Sequence, residues 1–228
     1  LSAIARSVLR RSGLLRAALI GTGALVLYVE ARADALPLDS ERTVTIVVTG
    51  FLDATAAEAL VAKLDASYGA ADVVVRFDRC LGGTLGAAVT AAKAISRLRP
   101  RTVAIGQCTS ACAMAFIAGS RPTVDVSAGP ALIGFHNARQ PSGLPAVKVS
   151  QVTSLIEYYG RIKLSASTKE IIHAAHGNAA GLMFYFDDDD KRTVTARKCD
   201  GTQGRDFSRC ELLPSVSPAE FGIRVSQP

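Results

Sequence analysis

The sequence predicts an α/β domain with a parallel sheet core, and three observations carry that prediction. Runs of β-branched and apolar residues, Thr43–Thr49, Ala71–Phe77 and Thr102–Ile105, alternate with stretches whose apolar residues recur at helical spacing. The second run is apolar nearly throughout, as expected of a strand in a sheet covered on both faces. A helical stretch separates each strand from the next, which is the pattern of a repeated β-α arrangement.

Taken in order, Asp53 or Thr55 caps a helix that runs to Ala66. After Phe77 come Asp78-Arg79-Cys80-Leu81-Gly82-Gly83 and a helix from Thr84 to Leu98, stopped by Pro100. The third strand leads through Gly106 into Gln107–Ala118, which from Ser110 onward is small and apolar in the manner of a buried helix. Ser110 therefore stands at a helix start, where backbone N–H groups are unpaired. An N-cap is the plain reading of a serine there. Past Gly119, Thr123–Val126 and Ala131–Phe135 are short strands, the second ending on His136. Asn137–Ala146, with two Pro and one Gly, reads as a surface loop.

Helical pattern resumes over Val147–Lys163 and Thr168–His176. Gly181–Phe186 and Thr193–Ala196 form a hairpin across the acidic run Asp187–Lys191, itself a solvated turn. Ser217-Pro218-Ala219-Glu220 reads as a helix start, with Ser217 at the cap and Glu220 at the capping-box position.

The 228 residues, 49% hydrophobic and 20% charged, suit one domain with a full-sized core. Part of the positive mean hydropathy comes from the N-terminus, where Arg6, Arg10, Arg11 and Arg16 precede the apolar run Ala17–Val29. That run is short of the roughly 20 residues a spanning helix needs. Ala31-Arg32-Ala33 and Ala33-Asp34-Ala35 follow with small residues two apart, as export peptidases require. Residues 1–35 thus read as a secretory signal peptide and 36–228 as the folded domain, placing the protein in the periplasm or another extracytoplasmic space. The alternative is an anchor in the inner membrane over residues 14–30. Without residues 1–33 the balance is 21 basic against 19 acidic residues, so +6 falls to +2. With no basic patch interleaved with aromatics, nucleic acid is not an expected partner.

Five cysteines fit an oxidising compartment. Cys199 and Cys210 bracket a polar loop and are the first choice for a disulfide. Cys80, Cys108 and Cys112 cluster near the proposed site, and any one pair of them could bridge. With three His and no Cys-x-x-Cys, no metal site is expected, and no cofactor is called for.

Acyl transfer by serine needs a hydroxyl, a base and donors for the oxyanion. Ser110 offers the hydroxyl and the N–H of Ala111 one donor. The paired glycines let backbone approach a substrate closely, with the N–H of Gly83 as the second donor. His136 is the one histidine at a strand end, whereas His173 and His176 share a helix face turned to solvent or to loops.

Gly82-Gly83, Ser110 in Cys108-x-Ser110-x-Cys112, Ala118-Gly119-x-Arg121 and Gly134-Phe135-His136 occur in an order and spacing that resemble the Clp protease and crotonase superfamily. The likeness is to its exported, periplasmic Clp-protease-like branch. It covers roughly Thr43 to Val225 and includes Ser217-Pro218-Ala219-Glu220-Phe221-Gly222, similar to that family's closing helix. The resemblance implies a ClpP/crotonase-like spiral of β-β-α units and a serine peptidase acting on peptides or proteins. It also implies a Ser-His-Asp triad with Ser110 as nucleophile and His136 as base, Gly83 and Ala111 as oxyanion donors, and self-association into trimers or rings.

Two departures stand out. The family's Ser-Pro-Gly-Gly turn reads Cys80-Leu81-Gly82-Gly83 here. The position expected for the acid falls on Cys210, leaving Glu211 beside it and Asp206 four before as candidates. The alternatives are a catalytically inactive domain serving interaction or assembly, acyl-CoA chemistry, a Ser-Lys dyad using Lys148 or Lys163, and a thiol nucleophile at Cys108 or Cys112.

Overall fold

In the computed structural model, which describes residues 43–137, 149–174, 181–187, 194–199 and 210–226, three parallel strands form one side of the sheet. They are β1 (Thr43–Leu52), β2 (Asp72–Gly83) and β3 (Arg101–Thr109). Helix α1 (Ala54–Ala66) links the first two and α2 (Leu85–Leu98) the second pair, with α3 (Ala111–Ile117) following β3. Local chemistry sets these boundaries. Asp53 Oδ1 accepts the Ala56 N–H at 2.8 Å and Thr84 Oγ1 accepts that of Ala87 at 3.2 Å, each satisfying a donor at a helix start. Arg99, left-handed at φ 55°, ends α2 before Pro100.

β2 runs six residues past the expected Phe77, through the glycine pair. The reason is close approach. Leu52 pairs with Gly83, and a Cβ on Gly83 would lie 2.0 Å from the Leu52 carbonyl oxygen, so only glycine lets the two strands stay together there.

β3 is shared between two further strands. Its first half pairs with β4 (Pro122–Asp125) and its second half with β5 (Ala131–Phe135), both parallel, and Gly106 at φ 65° marks the division. Beyond β5 the sheet turns antiparallel through β6 (Gly181–Phe186), β7 (Val194–Cys199) and β8 (Cys210–Leu212), while β9 (Arg224–Val225) pairs with β4. The fold is thus mixed α/β with a mostly parallel sheet, as expected. The hairpin of β6 and β7 matches the sequence reading, whereas the short β8 and β9 carry too few residues to show a period.

Helix α3 lies at the centre of the core with all seven of its residues buried. Its uniform apolarity, Ala-Cys-Ala-Met-Ala-Phe-Ile, is what a helix enclosed on every side requires. Alongside it α2 turns Ala87, Ala88, Ala91 and Ala92 inward, small side chains that let helix and sheet approach closely.

Two more helices, α4 (Val149–Gly160) and α5 (Ala166–His173), follow the described part of β5. His173 is half-buried, and its Nε2 lies 3.0 Å from Thr153 Oγ1 of α4 rather than against a loop. Glu157 joins the same two helices, accepting the Leu164 N–H at 2.9 Å and pairing with Lys169 at 2.7 Å.

The C-terminal turn, Pro218–Phe221, is a 3₁₀ turn closed by Gly222 at φ 67°. Ser217 caps it, but Glu220 does not complete a capping box. Its carboxylate reaches α5 instead, accepting the Ser165 N–H at 2.5 Å and the hydroxyl of buried Thr168 at 2.9 Å. Phe221 then stacks on Phe135 of β5, ring centroids 4.5 Å apart.

The sequence-predicted export or anchor segment, the loop after Asn137, His176, Lys148, the acidic turn beyond Asp187, and Asp206 all lie outside the described residues. Among the described residues no helix is long and apolar enough to cross a membrane, and no group of three or more His, Cys, Asp or Glu could hold a metal ion.

Two measurements check this packing. Glu220→Ala, which removes charged hydrogen bonds to α5, is expected to cost about 2 kcal/mol in urea unfolding. The Lys169 ammonium foremost, with the Leu164 N–H, holds the Glu157 carboxyl below its ordinary 4.5. Its contribution is therefore present above the unfolded value and fades as pH falls through the lower folded one. Glu157→Gln should be less stable than wild type at pH 7, and the gap should close under acid.

Candidate active site

Ser110 sits where β3 gives way to α3, with φ 57° and ψ −122°. This is a sparsely populated region for a residue with a Cβ, and it costs about 1–3 kcal/mol unless surroundings enforce it. The enforcing contacts are specific. The Ser110 N–H donates to the Gly134 carbonyl of β5 at 2.8 Å, and the Ser110 carbonyl accepts the Met114 N–H of α3 at 3.1 Å. The side chain makes no capping bond, so the N-cap reading of Ser110 does not hold. Ser110 is half-buried.

The glycine turn lies directly against it. A Cβ on Gly82, which has φ 126°, would come 3.3 Å from Ser110 Cβ and 3.8 Å from its Oγ. The turn is held to the same segment by three further contacts. Thr109 Oγ1 donates to the Leu81 carbonyl at 3.0 Å, the Gly82 N–H points at Cys112 Sγ at 3.3 Å, and Cys80 is disulfide-bonded to Cys112. Gly83 faces the other way, onto Leu52. Ala111, buried, opens α3.

His136 arrives from the neighbouring strand. Thr109 pairs with Gly134, so His136 lies two residues past the carbonyl that receives the Ser110 N–H. Its Nδ1 is 2.6 Å from the Asn137 carbonyl oxygen. A carbonyl can only accept, so in this contact Nδ1 carries the proton. The position of the ring depends on β6. A Cβ on Gly181, at φ 144°, would be 2.2 Å from the Phe135 carbonyl oxygen and 2.9 Å from His136 Cβ.

Ser110, the Gly82–Gly83 turn, Ala111 and His136 thus each stand at or just past the carboxyl ends of β2, β3 and β5, where ligands bind in open parallel sheets. Glu211 does not join them. It pairs with Lys198 on β8, three strands from β5, or about 14 Å at the usual strand spacing. It also faces the other side of the sheet. Gly181 is level with Cys199, which is level with Cys210, so that row shares the face of His136 and its neighbour Glu211 points away. Exposed Lys163, the described dyad candidate, lies in the connection between α4 and α5 within the field of Glu157.

Cys199 and Cys210 stand opposite each other in the β7–β8 ladder and are joined, as the loop between them suggested. Cys108 is the free thiol, fully buried, and burial pushes it far up, which removes it as a nucleophile. Two disulfides of this kind form and persist in oxidising compartments. Sequence reasoning missed two residues, Asn137, whose carbonyl holds the imidazole, and Gly181, which makes room for it, and it read Gly134 only as part of the motif ending on His136, not as the carbonyl that fixes Ser110. Each acts through backbone or through a missing Cβ, and only the glycines leave any trace in sequence.

No family model matches the chain, and no curated protein matches it. Solved structures do. The 1510-N membrane-bound stomatin-specific protease with a substrate peptide is 11% identical over 57% of this chain, at a TM-score of 0.44. The chain spans 64% of that protein. The ClpP protease catalytic domain from Plasmodium falciparum is 13% identical over 63% of this chain and 76% of its own, TM-score 0.44. ClpP1 from Listeria monocytogenes is 16% identical over 54% of this chain and 70% of its own, TM-score 0.36.

Gly181→Ala should move the end of β5. The expected result is a loss of about 2 kcal/mol or more in denaturant unfolding, with the His136 ring resonances shifted in NMR spectra.

Proposed function

We propose that the protein is an exported serine hydrolase, peptidase-like in its chemistry, with Ser110 as nucleophile and His136 as general base. The observation that carries this reading is the backbone of Ser110. A serine held at φ 57° on a strand-to-helix turn, making no cap bond, is strained to no structural benefit. Such a turn presents a hydroxyl above the sheet, the arrangement a nucleophile requires. The order of Gly82-Gly83, Ser110 and Gly134-Phe135-His136 in the sequence supports the same reading.

In this mechanism His136 Nε2 takes the Ser110 proton as Oγ attacks a carbonyl of a peptide or protein substrate, then returns it to the leaving amine. The N–H groups of Gly83 and Ala111 receive the oxyanion. The Asn137 carbonyl does part of the work of a triad acid. It holds the imidazole in the tautomer that leaves Nε2 basic. It supplies no negative charge, so it stabilises the imidazolium less than a carboxylate would. In a triad whose acid is replaced by an amide, much of the roughly 10⁴-fold loss comes from the wrong tautomer. That part of the loss does not arise here.

A second reading, an inactive domain serving interaction or assembly, is favoured by one observation. The position at which the resemblance implies the triad acid is Cys210, and that residue is disulfide-bonded to Cys199. The two separate on a fluorophosphonate probe. Wild type should label at Ser110, Ser110→Ala should not, and His136→Ala should label about 10²-fold more slowly or less. A folded wild type that takes up no probe leaves only the second reading.

Strain makes an independent prediction. Ser110→Gly should raise stability by about 1 kcal/mol in chemical unfolding, whereas Ser110→Ala, which keeps a Cβ at positive φ, should not.

A further inference from the structure

We infer that Cys80 and Cys112 are positioning residues whose disulfide assembles the Ser110 site, so that the chain becomes competent only after oxidation. This rests on the serine-hydrolase reading above and adds to it a condition on when the site exists.

The bridge joins the two segments that must meet. Cys80 lies two residues before Gly82, and Cys112 two residues after Ser110. Few side chains hold the turn inward, although its backbone pairs with β1 and Thr109 Oγ1 donates to the Leu81 carbonyl. Between Asp78 and Thr84, Arg79 and Leu81 are exposed, Gly82 and Gly83 have no side chains, and Cys80 is the one buried side chain. Paired glycines are the most mobile backbone available, so the position of Gly82 against Ser110 depends on what fastens its neighbours. Helix α3, by contrast, is anchored by the burial of all seven of its residues and stays in place without a bridge. The disulfide therefore ties a turn with little side-chain packing of its own to a fixed helix. Once tied, Cys112 Sγ also meets the Gly82 N–H at 3.3 Å and lies 3.2 Å from the Gly82 carbonyl oxygen, so one sulfur sets the orientation of that peptide.

The third thiol is placed where exchange would be expected and is kept from it. Cys108 is level with Cys80 in the β2–β3 ladder, yet burial raises its thiol and suppresses the thiolate that would attack the bridge. Both bridged sulfurs belong to residues that are 0% exposed, so a reductant in solution has no access to them in the folded state. The bridge forms when two thiols and one external disulfide give the internal disulfide and two external thiols. After folding it persists. A chain held in a reducing compartment would keep both thiols and a loose turn, and would gain its site on reaching an oxidising one.

The test compares wild type, Cys80→Ala/Cys112→Ala and Cys108→Ala for fluorophosphonate labelling of Ser110 and for amide hydrogen exchange. Non-reducing peptide mapping of Cys108→Ala should still find Cys80 joined to Cys112. The double variant should label at least about 10-fold more slowly than wild type, since small misplacements near reacting atoms cost 10- to 100-fold. Its amides over 81–84 should exchange faster while those of α3 stay protected, a split that uniform destabilisation would not produce. Cys108→Ala should label as wild type does.

Equal labelling by a folded double variant, or a Cys80–Cys108 bridge in the wild type, overturns the inference while leaving the hydrolase reading intact. A wild type that never labels overturns the hydrolase reading, and the exchange pattern alone then decides the role of the bridge: equal protection of 81–84 in both proteins rejects it. If the double variant does not fold, Cys80→Val/Cys112→Ala, which refills the core, is measured in the same way. Wild type refolded under a dithiol and assayed before and after oxidation gives the same comparison without substitution.

Discussion

The strand-to-helix turn at Ser110 is the constraint on which the rest of the site depends. A residue with a Cβ does not hold φ 57° unaided, so its neighbours must hold it there. The Gly134 carbonyl fixes its N–H, α3 takes its carbonyl, and the missing Cβ of Gly82 leaves room beside it. Each of these comes from a different element. The strained turn is thus a product of the assembled sheet and could not survive in the isolated segment.

The sheet distributes its glycines accordingly. Gly83 lets β1 close on β2, Gly82 admits Ser110, and Gly181 admits His136 and the Phe135 carbonyl. The aromatic rings of Phe135, Phe184 and Phe221 lie next to this last contact and join the end of β5 to the C-terminal turn. Glu220, through Ser165 and Thr168, fastens that turn to α5. His136 is therefore placed by a chain of packing that reaches residues more than eighty positions away, while Ser110 is placed by its immediate neighbours in the sheet.

The two disulfides serve different ends. Cys199–Cys210 joins adjacent antiparallel strands at the sheet edge, where the ladder is short and has little packing of its own. Cys80–Cys112 joins a strand end to a helix across the core. One reinforces an edge, and the other joins the glycine turn to the helix that follows Ser110.

Much of this was legible in the residues, for physical reasons that differ by element. Periodicity marked β1, α1, α2 and the β6–β7 hairpin, because burial on one or both faces leaves a repeat in the chain. Uniform apolarity marked α3 as enclosed, and Ser110, the glycine pair and His136 could be picked out by type and order. What the sequence by itself determined was the class of fold and the groups able to do chemistry, since both follow from side-chain character along a local stretch. The tertiary structure alone decided which of three cysteines pair, that the Ser110 side chain leaves the helix uncapped, that Glu211 faces away, and that a main-chain carbonyl holds the imidazole. Each of these turns on strand register or on backbone contacts between distant residues, and neither is written into side-chain identity at a single position.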